Sequence, residues 1–322
     1  MKKILFTGDT LSDGQRLELK NAGFEIVPAS YDLSSQEVAK LLNDCDGYIL
    51  GGDEIADSKM IANAGNKLKV ISFFGAGYEK YIDVKAATQR GIKVANTPGA
   101  NANSVAEFTV ALMCSIVKDI VSNTIATKSG DWSRPKTFDL NGKTIGIVGM
   151  GNIGKKVAKI LSCGFGAKIV YTSRKSKFDV EEMCDARKVS LDELCKVSDI
   201  ISIHASLTEE TKGMISSAQF EKMKNGVVII NSARVEIINE DALIEAIKNG
   251  KVAKCAFDGF YEEPVTKEVV EKHELIRLPN NQFIVTPHMA YYTSDALAKM
   301  EKMAIDNVIQ VLSGQTCHNV VN

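Results

Sequence analysis

The sequence predicts an α/β protein of two domains, each built on a parallel sheet with helices on both faces. Three observations predict it. Short apolar runs alternate with helical patterns along the chain, the signature of a doubly wound sheet rather than a sandwich or a bundle. A glycine-rich turn, Gly149-Met150-Gly151-Asn152-Ile153-Gly154, lies between one such run and an amphipathic stretch. At 322 residues the chain is also too long for one ordinary core and suits two.

Taken in order, strands are expected at 3–6, 47–50 and 70–73, punctuated by Gly, Asp and Asn, in a small first domain covering 1–101. A long helical pattern from 103 to about 121 follows and is read as the join between domains. The polar stretch Thr127-Lys128-Ser129-Gly130-Asp131-Trp132-Ser133-Arg134-Pro135 cannot continue it. The second domain, 102–288, opens with a strand, the glycine turn, and Val157, Ile160 and Leu161 at helical spacing before a strand at 168–172, a βαβ unit. Further strand-like runs at 199–203, 226–230, 254–257 and 283–285 bring this sheet to about six strands. The last helix, from 294 to about 311, has no place in that sheet, so 289–322 is expected to return to the first domain. No internal repeat is visible.

Composition narrows the function. Hydrophobic residues at 45% and charged residues at 25% describe a globular chain. With 39 Lys plus Arg against 40 Asp plus Glu, neither nucleic acid nor an anionic membrane is an expected partner, and a small molecule is. The opening Met1-Lys2-Lys3-Ile4-Leu5-Phe6 is broken by Thr7-Gly8-Asp9 before a signal-peptide core is complete, so it is read as a strand. No apolar run approaches the roughly 20 residues of a membrane helix. Seven cysteines fall singly with no CxxC pair, which points to reduced thiols in the cytoplasm and to no disulfide or metal framework.

The glycine turn points to a dinucleotide. Gly149 permits the tight turn, Gly151 lets the backbone approach a pyrophosphate, and Gly154 lets helix pack on strand, while the helix N-terminus offers N–H groups to the anion. At the end of the next strand an Asp or Glu would hold the ribose 2′-hydroxyl of NAD. This chain reads Tyr171-Thr172-Ser173-Arg174-Lys175 instead. A hydroxyl and two cations welcome a 2′-phosphate, so NADP(H) is preferred, with NAD(H) the alternative.

Three segments complete the pattern: Asn231-Ser232-Ala233-Arg234, Asp258-Gly259-Phe260-Tyr261-Glu262-Glu263-Pro264 and Thr286-Pro287-His288. Each follows a strand-like run, so all three fall at the carboxyl ends of strands, on the side of the glycine turn. In this order, with Gly75-Ala76-Gly77-Tyr78, Asn96-Thr97-Pro98, Ser104-Val105-Ala106-Glu107, Gly130-Asp131-Trp132 and Leu140-Asn141-Gly142-Lys143-Thr144, they resemble the D-isomer-specific 2-hydroxyacid dehydrogenase family over nearly the whole chain.

The resemblance implies a Rossmann-type cofactor domain inserted in a flavodoxin-like substrate domain, a homodimer formed largely by the cofactor domain, and reduction of a 2-oxo acid to the D-2-hydroxy acid. It implies that His288 is the catalytic acid, Glu263 its carboxylate partner and Arg234 the anchor for substrate. Each assignment suits the chemistry. A developing alkoxide needs a proton from a histidine kept charged by a carboxylate, and a guanidinium grips a planar carboxylate in bidentate fashion. The backbone of Ala76 and Gly77, with Gly75 and Phe74 beside them, resembles a second carboxylate clamp, and Asp258 resembles the residue that orients the nicotinamide amide. Val105, Asn152, Ile153, Ala205, Ser206, Ser232 and Ala233 are carried over as cofactor contacts.

The chain also departs from the family. Val235-Glu236 follows the anchoring Arg where Gly is usual. Phe73-Phe74 stands where phosphoglycerate-specific relatives carry a phosphate-binding Arg, which disfavours a phosphorylated substrate and suggests an apolar side pocket. No C-terminal regulatory extension is expected. Phosphoglycerate dehydrogenase is the alternative enzyme, while Glu263 speaks against a formate dehydrogenase, since those relatives carry Gln at that position. A nicotinamide-sensing co-repressor is the alternative of another class. His204, His273 and His318 are read as surface or satisfied core residues, and Tyr291 and Tyr292 as packing or rim residues.

Overall fold

The computed structural model describes residues 1–8, 11–30, 33–52 and 54–322. Asp9, where the first apolar run was expected to be broken, lies outside them. The chain divides into two compact units, Met1–Asn101 with Thr293–Asn322, and Ala102–Tyr292.

The first unit holds five parallel strands: β1 (Lys2–Thr7), β2 (Phe24–Ala29), β3 (Gly47–Leu50), β4 (Val70–Phe73) and β5 (Lys93–Ala95). Their spatial order, β2-β1-β3-β4-β5, is the flavodoxin-like one. Two strands went unread in the sequence. β2 contains Pro28, which lacks a ladder donor and is tolerated because this strand forms an edge of the sheet. β5 is only three residues long. The helix Ser294–Leu312 packs Ala304, Ile305, Val308 and Leu312 against Ile4, Phe6, Ile49 and Val70. Gly47 makes room for it, since a Cβ there would stand 2.9 Å from Val308 Cγ1.

The second unit holds β6 (Thr144–Val148), β7 (Lys168–Thr172), β8 (Arg187–Lys188), β9 (Ile200–Ile203), β10 (Val227–Asn231), β11 (Val252–Asp258) and β12 (Phe283–Thr286). The order β12-β11-β10-β9-β6-β7-β8 is that of a Rossmann sheet, with its reversal between β6 and β9. The sheet has seven strands rather than about six. The extra one, β8, is a two-residue exposed edge that no periodicity could reveal. Two apolar clusters lie in this unit, one containing Ile145, Ile147, Val157, Leu161 and Tyr171, the other Ile201, Ile229, Leu243, Cys255 and Phe257.

The long helix expected from 103 to 121 is two helices, Ala102–Val117 and Ile120–Lys128. Asp119, at φ +51, breaks it in the left-handed region. Lys254 holds the break: its Nζ pairs with the buried Asp119 carboxylate and donates to the Ile116 carbonyl at 3.2 Å, closing the end of the first helix. The polar stretch expected to be non-helical from Thr127 is helical through Lys128.

No helix among the described residues is long and apolar enough to cross a membrane.

Candidate active site

The glycine turn joins β6 to the helix Asn152–Lys159. Gly149, at φ +98, lies against the start of the segment after β9. A Cβ there would be 2.5 Å from the Ala205 nitrogen and 2.7 Å from the His204 carbonyl carbon, so only glycine fits. A Cβ on Gly154 would be 2.3 Å from the Gly149 carbonyl oxygen, which fixes how closely helix meets strand. Gly151 is the opposite case, with nothing within 4 Å of its Cβ position and no side-chain cap on the helix it opens. An open, uncapped helix N-terminus beside a closed turn is the cradle a pyrophosphate requires, so the residues present fit a dinucleotide. Asn152 is exposed and Ile153 half-buried in this turn.

At the end of β7, Ser173 Oγ donates to the Lys175 carbonyl at 2.6 Å, and Arg174 and Lys175 are exposed. Lys188 Nζ reaches the Arg174 carbonyl at 3.4 Å. The nearby carboxylates are engaged elsewhere, Asp179 with Lys155 and Glu181 with the Tyr171 hydroxyl. Ala205 is half-buried and Ser206 exposed, its carbonyl accepting from Thr211 Oγ1 at 2.6 Å. Val105 is buried in its helix, its carbonyl accepting from Thr109 Oγ1.

After β10, the fully buried Asn231 braces the loop that presents Arg234. Its Oδ1 accepts from the Ala233 N–H at 2.9 Å and its Nδ2 donates to the Arg234 carbonyl at 3.3 Å. Ser232 Oγ bonds to Thr109 Oγ1 at 2.6 Å. Val235 and Ile237, in the short turn after Arg234, bury their side chains in the core, so the departure from Gly is absorbed by packing.

After β11, Gly259 at φ +110 lets two functional side chains meet. A Cβ there would stand 2.8 Å from Glu263 Oε1 and 3.7 Å from His288 Nδ1. Glu263 Oε1 accepts from the Phe260 N–H at 3.0 Å, and the carboxylate lies 3.4 Å from His288 Nδ1. Nε2 of the same ring is 3.4 Å from Arg234 Nη1. Arg234, Glu263 and His288, expected from three separated segments, are thus brought together around one imidazole.

His288 itself has φ +52, a left-handed conformation rare for a non-glycine residue. Asp258, 2% exposed, imposes it. Its carboxylate accepts from Thr286 Oγ1 at 2.7 Å and from the N–H groups of Met289 and Ala290 at 2.8 Å each. Sequence reasoning gave Asp258 to the cofactor; in the structure its bonds brace the turn that carries His288. Thr286 and Gly259 stood inside the quoted segments without a role, since nothing local shows that one holds Asp258 and the other makes room for Glu263. Tyr291, read as a packing residue, sets its ring edge-on to His288 with centroids 6.2 Å apart.

In the first unit, Gly75, Ala76 and Gly77 follow β4. The Gly75 carbonyl accepts from the Thr97 N–H at 2.9 Å and the Ala76 carbonyl from Asn96 Nδ2 at 2.8 Å. Phe73 corrects the expected side pocket: it is buried, stacks on Tyr81 at 5.0 Å, and occupies the space beneath Gly75, whose Cβ would be 2.5 Å from its ring. Phe74 is half-buried against the cluster of Ile4, Phe6 and Val70.

The remaining histidines differ from one another. His273 pairs with Glu240 and His318 is exposed. His204 is not the satisfied core residue expected. Nε2 bonds to Ser202 Oγ at 2.8 Å, but Nδ1 is buried with no hydrogen-bond partner, and burial pushes the ring down to about 3.

Comparison with known proteins shows the family. Residues 110–290 match the family model described as "D-isomer specific 2-hydroxyacid dehydrogenase, NAD binding domain". Glyoxylate reductase of Thermococcus litoralis is 37% identical over 87% of this chain and 85% of its own length. Hydroxypyruvate reductase of Thermotoga maritima is 37% identical over 89% and 92%. D-3-phosphoglycerate dehydrogenase of Archaeoglobus fulgidus is 35% identical over 94% of this chain, which spans 56% of that protein. Among solved structures, a glyoxylate reductase from Paecilomyes thermophila superposes with a TM-score of 0.87 at 28% identity, covering 99% of this chain and 98% of that one. The chain therefore belongs to the D-isomer-specific 2-hydroxyacid dehydrogenase family and is a nicotinamide-dependent oxidoreductase acting on the CH–OH group of its donor.

Proposed function

We propose that the enzyme reduces a small, unphosphorylated 2-oxo acid of the glyoxylate and hydroxypyruvate class to the D-2-hydroxy acid, with NADPH preferred to NADH. The observation that carries this reading is the imidazole of His288 with Glu263 on one nitrogen and Arg234 facing the other. The Arg234 guanidinium holds the substrate carboxylate in bidentate fashion and polarises the neighbouring carbonyl. His288 Nε2 gives its proton to the C2 oxygen, while Glu263 beside Nδ1 stabilises the charged ring. The nicotinamide, held through Gly149, Gly151, Gly154 and the helix they open, supplies the hydride for C2 when bound. The amides of Ala76 and Gly77 are assigned a second hold on the carboxylate. Asp258 is assigned to the nicotinamide amide as well as to the turn it braces.

The relatives named for glyoxylate and hydroxypyruvate support the substrate class, and a sequence with no cation at 73–74 disfavours phosphoglycerate. The exposed Arg174 and Lys175 at the end of β7, with Lys188 reaching the Arg174 carbonyl, support NADPH. A homodimer is supported by the helix Ile120–Lys128, which buries no residue, and by Trp132, 72% exposed; Trp132→Glu should lower the sedimentation coefficient of such a dimer. Seven unpaired cysteines suit a reducing cytoplasm.

The test is oxidation of NADPH and, separately, NADH with glyoxylate, hydroxypyruvate, pyruvate, 2-oxoisocaproate and phenylpyruvate, beside oxidation of 3-phosphoglycerate with either oxidised cofactor. Faster use of NADPH with an unphosphorylated acid supports the reading. Activity with phosphoglycerate alone removes the substrate assignment, and cofactor binding without turnover moves the protein to a sensing role.

A further inference from the structure

The loop assigned to the substrate carboxylate is fixed from behind by a buried network within the first unit. Planarity makes its orientation readable. In a trans peptide the C=O and the following N–H point in opposite directions. The Thr97 N–H that takes the Gly75 carbonyl therefore sets the direction of the Ala76 N–H, and the Asn96 carboxamide that takes the Ala76 carbonyl sets that of the Gly77 N–H.

Asn96 does not stand alone. It is buried, and both its backbone groups are tied down: its N–H donates to the Asn319 carbonyl at 3.2 Å and its carbonyl accepts from Asn307 Nδ2 at 2.9 Å. Asn307, 1% exposed on the helix Ser294–Leu312, uses every polar atom it has. Nδ2 also donates to Ser72 Oγ at 3.3 Å, and Oδ1 accepts from Asn319 Nδ2 at 2.9 Å and from Cys317 Sγ at 3.4 Å. The segment 317–322 in turn pairs with β5, through the antiparallel bridge of Ala95 with Val320 and the bond from the Val321 N–H to the Val94 carbonyl at 2.8 Å. A chain of bonds thus runs from the residues beside β5 through Asn319, Asn307 and Asn96 to one peptide of the loop. A buried carboxamide satisfied on every atom holds a single orientation, because any rotation strands a buried donor or acceptor.

We infer that Asn96 and Asn307 are positioning residues for substrate carboxylate binding, aligning the Ala76–Gly77 peptide through the segment 317–322. This rests on the assignment of the Ala76 and Gly77 amides to the carboxylate. The consequence is selective. Losing the alignment weakens substrate binding while the acid, the guanidinium and the dinucleotide turn, all in the second unit, stay as they are.

The test is steady-state kinetics of Asn96→Ala, Asn96→Asp and Asn307→Asp with glyoxylate and hydroxypyruvate. Asn96→Asp puts an acceptor against the Ala76 carbonyl, and Asn307→Asp keeps volume and the Oδ1 acceptor while removing the donor to Asn96. Each should raise KM about five- to tenfold, with kcat within twofold and NADPH affinity unchanged. Lost folding alone lowers the active fraction and so kcat, with KM unchanged, and that result overturns the inference. The underlying assignment is checked separately by the backbone amide resonances of Ala76 and Gly77 in the wild-type holoenzyme as oxamate is added. If neither moves, the carboxylate assignment falls and this inference with it. If they move and the Asn96 variants keep their KM, only the inference falls.

Discussion

Arg234 Nη1 lies 3.4 Å from His288 Nε2, while Nδ1 of the same ring faces the Glu263 carboxylate at 3.4 Å. With its Nδ1–H turned to Glu263, the neutral ring presents an Nε2 lone pair that accepts from the guanidinium. Once Nε2 carries a proton, both groups are donors and need acceptors between them, which a 2-oxo acid supplies as two adjacent oxygens. His288→Ala should therefore lower kcat about 10³-fold or more and leave cofactor affinity within twofold, read by turnover and by fluorescence titration of NADPH. Undiminished turnover would remove His288 from the role of acid.

Arg234→Lys keeps the charge and loses the planar fork. The substrate carboxylate is then held by a point charge, and both KM and kcat should suffer, with kcat/KM down about 10²-fold. A change confined to kcat, with KM for glyoxylate unaltered, would show that the guanidinium does not anchor substrate.

At Gly259 a methyl group would enter between Glu263 and His288. At φ +110 an alanine is strained, and its Cβ would press on Glu263 Oε1 from 2.8 Å. Gly259→Ala should cost roughly 1–3 kcal/mol in stability and lower kcat about tenfold or more, while NADPH binds as before. Equal kcat in variant and wild type, compared at matched folded fraction, would mean that the contact of Glu263 with His288 does not matter to turnover.

The legibility of this molecule follows from which features are local. The strands 47–50, 70–73 and 168–172 were read to the residue because each is a short apolar run bounded by turn residues. β8 and β5 were not, since two or three residues carry no period, and β2 was masked by its proline. The helix break at Asp119 was invisible for another reason: the lysine that stabilises it is 135 residues away. The site divides in the same way. Arg234, Glu263 and His288 sit in motifs, and so do Asn231 and Thr286, but what those two hold in place, and the bonds by which Asn96 and Asn307 brace the loop after β4, are visible only in the fold. Phe73 was misjudged because sequence shows which residue stands beside a loop and not whether its ring points outward or into the core.

The proposed preference for NADPH is tested at the end of β7. Ser173 and Arg174 replaced by Asp and Ala, as a double variant, would present a carboxylate to the ribose and remove one cation. The ratio of kcat/KM for NADPH over NADH should fall about tenfold or more, through KM for cofactor. An unchanged ratio would place the basic turn outside the cofactor site.

His204 yields a prediction about stability rather than rate. Burial pushes its ring from 6.5 down to about 3, so the folded protein keeps it neutral where the unfolded chain would protonate it. Between those two values the unfolded state binds the extra proton, and stability rises with pH; conversely, the contribution is intact above 6.5 and is lost as pH falls toward 3. The slope assigned to this single group is about 1.4 kcal/mol per pH unit within that window. His204→Gln removes the titration and can keep a bond to Ser202, so its urea midpoint should fall less steeply than that of the wild type between pH 6.5 and 4, and the two curves should run parallel above 7. Parallel curves throughout would mean that water reaches the ring and Nδ1 is not stranded. A histidine held neutral in this way does not act as an acid near neutral pH, which keeps His204 out of the role proposed for His288 even though both rings follow strands of the same sheet.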